Sequence, residues 1–143
     1  MAVKQTIGDW DVLRRLGERG ERRAGVAPAR GRSFLVRRRV GEVAARELHL
    51  IDPRPGDPDE LLQRVRHFGR LHHPALPDII ESFLFERRVV VVMRHDDGVG
   101  LDRLKGYLDR DQERLADPAI WYIGFRLTSA LTKAHLARAG DGT

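Results

Sequence analysis

From Leu71 to Leu104 the chain reads LHHPALPDIIESFLFERRVVVVMRHDDGVGLDRL, and the period of its apolar positions changes along the way. Up to His72-His73-Pro74 the spacing is helical. Proline ends that run because it disfavours helical geometry in the residue before it and cannot continue the hydrogen-bond ladder. Ile79 to Phe85 and Val89 to Met93 are then apolar runs rich in β-branched and aromatic residues, and the polar Glu86-Arg87-Arg88 between them predicts a β-hairpin. The second run is unbroken Val-Val-Val-Val-Met, which predicts burial on both faces. Arg94-His95-Asp96-Asp97-Gly98 is a polar connector, and a helical pattern resumes at Leu101 and Leu104.

The rest of the chain divides in the same way. Trp10 to Leu16 mixes apolar and charged positions and meets Gly17, which suits a first strand ending in a turn. A polar, glycine-containing stretch runs on to Gly31. Ser33 to Val40 and Val43 to Ile51 predict two strands around the turn at Gly41-Glu42. Asp52-Pro53-Arg54-Pro55-Gly56 is a loop by composition. A helix start follows: Asp57 as N-cap, Pro58 in the first turn and Glu60 set against the helix dipole. Leu61, Leu62, Val65, Phe68, Gly69 and Leu71 supply its apolar stripe. A short helix covers Leu101 to Leu108, and Asp109-Arg110-Asp111 reads as a solvated connector rather than a set of catalytic carboxylates. In the last helix Asp117 is expected to cap and Pro118 to open the first turn. Ile120, Ile123, Leu127, Ala130, Leu131 and Ala134 are expected to run down one face.

Composition narrows the chemistry. At 143 residues and 41% hydrophobic content the chain is long enough for a real core. Cysteine is absent, so there is no disulfide framework or thiolate chemistry. The first residues lack a signal peptide's apolar segment and no run is long enough to span a membrane, so a cytoplasmic protein is expected. The net charge of +5 invites a nucleic-acid reading. The arginines, however, are spread along the chain with 21 acidic residues among them, so a basic nucleic-acid-binding module stays the lesser alternative, to be recognised by steep salt dependence. His67, His72 and His73 lie close in sequence, but no four-ligand spacing exists, and no metal is expected. His73 is read as packing and hydrogen bonding at the end of its helix.

The order of helix, Leu-x-His-Pro, hairpin, polar connector and Gly-x-x-Leu helix resembles the centre of a protein kinase, from the end of αC through the hinge to αD. The family it resembles is that of bacterial serine/threonine kinases. The resemblance covers roughly residues 10 to 140 and implies an α+β fold: a kinase-like small lobe, with a five-stranded antiparallel sheet and αC, then the first helices of the large lobe. It implies an N-terminal extension over 1–9, the small lobe over 10–94, and the hinge with αD and αE over 95–143, where Ala134-His135 matches the end of αE.

The same resemblance places a nucleotide pocket and marks its departures. Leu16 and Gly17 fall at its roof, Ala44 over the adenine, Met93 at the gatekeeper, and Arg94, His95 and Asp96 in the hinge. Arg46 stands where the family has the lysine that holds the phosphates, and arginine is a planar fork rather than a point charge. Arg64 stands where the family has the glutamate that pairs with that lysine, so Arg46 and Arg64 would meet as two cations. The glycines after Gly17 have the wrong spacing for a phosphate loop, and Glu18 and Glu21 lie among them. No His-Arg-Asp or Asp-Phe-Gly tripeptide occurs among the residues present. The resemblance therefore implies a degenerate, pseudokinase-like signalling segment with no cofactor, or only weakly held ATP and magnesium. Its partner is expected to be a protein, the absent large-lobe region or a second copy. The alternative is the N-terminal part of an active ATP-dependent kinase.

Overall fold

The computed structural model describes residues 5–16, 31–41 and 44–140. Gly17 and most of the glycine-containing stretch after it lie outside them, as do Glu42 and Val43. Contacts divide the described chain into one unit reaching Arg70 and resuming from Pro77 to His95, and another made of Leu71–Leu76 and the chain from Asp96 onward.

The first unit is an antiparallel sheet with one helix. Its strands are β1 (Thr6–Ile7), β2 (Trp10–Leu16), β3 (Gly31–Arg38), β4 (Ala45–Ile51), β5 (Ile79–Phe85) and β6 (Arg88–Arg94), with α1 (Pro58–Phe68) between β4 and β5. The spatial order is β1-β2-β3-β4-β6-β5. Five strands were expected, and the sixth is β1, where Thr6 and Ile7 fold back on Asp11 and Trp10. Two residues are too few to show a period of two. The turn between β1 and β2 needs Gly8 at φ +58°, and the ring of Phe83 lies 3.2 Å from where a Cβ would stand. Phe83 belongs to β5 at the far end of the order, so the sheet rolls until its two ends touch. Trp10 seals the seam. Its indole N–H donates to the Glu81 carboxylate at 3.1 Å, and Arg38 lies 5.4 Å over its ring.

Side-chain alternation then builds a core on each face of the rolled sheet. Inside the roll lie Ile7, Trp10, Phe34, Val36, Leu48, Leu50, Val90 and Val92. On the other face Val89 and Val91 meet Leu62 of α1, with Ile51, Leu61, Val65, Ile79 and Met93 around them. The valine run is buried on both faces, as its unbroken character predicts.

Helix α1 starts as read from the sequence, with the Asp57 carboxylate accepting from the Asp59 N–H and Pro58 in the first turn. It stops at Phe68, well before Pro74. Gly69 donates to the Val65 carbonyl at 2.8 Å and Arg70 to the His67 carbonyl at 3.2 Å, so the last turn tightens and the chain leaves the helix. Gly69 is thus the stop rather than part of the stripe, and Leu71 lies outside the helix. In the second unit His73 accepts from the Ala75 N–H at its Nδ1, which leaves its Nε2 to donate to Ser129 Oγ at 2.9 Å.

The second unit carries α2 (Leu101–Asp111) and α3 (Asp117–Gly140). Asp109, Arg110 and Asp111 form the exposed last turn of α2 instead of a connector, with Asp109 bonded to Lys105 one turn back. Asp117 sits inside the first turn of α3, and the Ala116 carbonyl accepts its opening bonds, so Asp117 does not cap. The expected apolar face of α3 is not buried as such. Ile120, Leu127 and Leu131 are each more than half exposed, whereas Ala130 is buried. No described helix is long and apolar enough to cross a membrane.

Candidate functional site

The candidate site follows from which way β4 faces. Leu48 and Leu50 are buried inside the roll, so the pleat turns Glu47, His49 and Ile51 toward α1. Register places Ser33 and Val91 on either side of His49, and Leu35 and Met93 on either side of Glu47. Ser33, Glu47, His49, Val91 and Met93, with Val65 and Phe68 of α1, line a cavity of about 770 Å³ whose walls are mostly apolar.

Three of its polar side chains, Ser33, His49 and Glu47, form one connected chain that continues to His95. Ser33 Oγ lies 2.9 Å from His49 Nδ1, and His49 Nε2 lies 2.8 Å from one Glu47 oxygen. The other Glu47 oxygen is 3.3 Å from His95 Nδ1. All four side chains are half-buried. Arg64 also lines the cavity, although its guanidinium is held by Glu60 one turn earlier on the same helix.

Of the residues picked out in the sequence, Met93 lines the cavity. His95 joins the chain of polar groups through Glu47. Leu16 ends β2 opposite Ser33. Gly17 is outside the described residues. Ala44 is exposed just before β4. Arg46 pairs with Val36 and Arg94 on the face away from α1, so the clash expected between Arg46 and Arg64 does not arise. Arg94 is exposed, with its guanidinium 3.8 Å from Asp78, and Asp96 is exposed beyond it. Ser33, Glu47 and His49 were not picked out. Their signal was present: two leucines alternating through Leu48 and Leu50 put Glu47 and His49 on the opposite face. A motif alignment centred on Arg46 hides this. Among the described residues no group of His, Asp and Glu is arranged to hold a metal ion.

No family model matches the chain, and no curated protein matches it. Among solved structures it is similar to the kinase domain of PknI from Mycobacterium tuberculosis, determined as a point mutant. The TM-score is 0.74 at 23% identity, over 95% of this chain and 52% of that one. The chain thus spans about half the length of that kinase domain. The fold is that of a protein-kinase domain: the rolled antiparallel sheet and α1 are the small-lobe fold, and α2 and α3 are the helices that follow it.

Proposed function

We propose that this chain is a kinase-fold module that works by binding and transfers no phosphate itself. One observation carries the reading. On the sheet face that looks toward α1, where the family is expected to carry its phosphate-holding lysine, β4 presents Glu47. A carboxylate repels the phosphates that a lysine would attract, and phosphoryl transfer depends almost wholly on positioned charge and metal. Helix α1 places Arg64 on the cavity wall, with its guanidinium held by Glu60 of the same helix.

The same reading assigns the partner contact to α3. Trp121 is 79%, Phe125 69% and Leu136 68% exposed. Apolar area of this kind marks a binding surface, and its occupant is taken to be a protein: the remaining large-lobe sequence or another chain.

The test is an assay of autophosphorylation and of generic substrate phosphorylation with Mg²⁺ or Mn²⁺. Incorporation no greater than in a no-enzyme control is expected. Turnover above it, lost on mutation of Glu47, overturns the reading.

A further inference from the structure

The hydrogen-bond directions around Glu47 are fixed by elimination. A carboxylate accepts and cannot donate, so the contact at 2.8 Å makes His49 Nε2 the donor. In the neutral ring His49 Nδ1 is then an acceptor, and the Ser33 hydroxyl donates to it at 2.9 Å. His95 Nδ1 donates to the second carboxylate oxygen. The hydrogens of Ser33 and His49 are therefore spent inside the chain, and what these bonded side chains leave to a molecule in the cavity is lone pairs on Ser33 Oγ and Glu47. The guanidinium of Arg64 is turned to Glu60 and its side chain is 75% exposed. Arg32 lines the cavity as well, with an exposed side chain, and Val65, Phe68, Ile79, Val91 and Met93 make apolar wall.

A ligand for such a place must bring donors and hydrocarbon. Phosphate and carboxylate groups bring acceptors and negative charge, and leave Glu47 facing a like charge. We propose that the cavity binds an apolar ligand ending in a cationic N–H donor, of the arylalkylammonium or arylamidinium class. Its charged end sits on Glu47 and Ser33 and its apolar body lies against Val65, Phe68 and Met93. Charge-assisted bonds to a half-buried carboxylate are the stronger kind, and they fix the ligand's direction. The inference rests on the reading that this cavity is not a phosphate site, and it adds what the cavity accepts.

The experiment uses the isotope-labelled chain and a matched pair of probes, 2-naphthylmethylamine and 2-naphthoate, with MgATP titrated separately. Amide shifts at Ser33, Glu47, His49 and Met93 are followed. The amine is expected to bind at least about tenfold more tightly than the carboxylate, and E47Q to weaken the amine by about tenfold while the spectrum stays dispersed. Equal affinities, a preference for naphthoate, shifts confined to other residues, or no shift at about millimolar amine each overturn the proposal. The comparison within the unmutated chain decides even if E47Q fails to fold. Saturable MgATP binding sinks the reading that this cavity is not a phosphate site, whereas the amine-to-carboxylate ratio judges the present inference separately.

Discussion

Gly8 is where the rolled sheet has least room. It combines φ +58° with the Phe83 ring 3.2 Å from the missing Cβ, so an alanine meets backbone strain and a crowded ring at once. G8A is expected to lower stability by about 1–2 kcal/mol, read from urea unfolding midpoints at unchanged slope. An unchanged midpoint would mean that the ends of the sheet do not meet as described. At this scale the sequence was legible in part. Met93 and His95 were picked out, and the first lines the cavity while the second bonds Glu47. Arg46 and Glu47 were harder, because neighbouring residues of a strand face opposite ways and a motif match does not say which of them faces the helix. Burial of Leu48 and Leu50 shows it, and burial is a property of the folded sheet.

The hairpin of β5 and β6 was legible at element scale from its two apolar runs, and its turn chemistry was not. Glu86 and Arg87 both have positive φ, 49° and 60°, the conformation of a two-residue hairpin turn that favours Asn-Gly. Neither residue type is at ease there, and R87G is expected to stabilise the chain by about 0.5–1 kcal/mol in thermal or urea unfolding. A loss of stability would show that the arginine side chain contributes more than its backbone costs. The end of α1 was misread for a related reason. Proline is the louder stop signal, yet Gly69 comes first and the tightened turn at Gly69 and Arg70 ends the helix before Pro74 is reached. The apolar residues of α3 predicted a helix correctly, and they fall on more than one face of it: Trp121, Tyr122 and Phe125 lie exposed outside the stripe.

For the whole molecule, the order of elements carried the fold. Helix, hairpin, connector and helix in that sequence resemble a kinase whatever the individual residues do, and the likeness to a solved kinase domain at 23% identity agrees. Function does not travel with a fold in that way, because it depends on which side chains face the cavity. Here the cavity wall is an acid bonded to two histidines, and the account stands on that acid excluding nucleotide phosphates. Calorimetric titration of MgATP into the chain at physiological salt measures this most directly. The account predicts no saturable heat up to about millimolar nucleotide. Saturable binding near micromolar affinity, abolished by a bulky substitution at Val91 on the cavity wall, would contradict it.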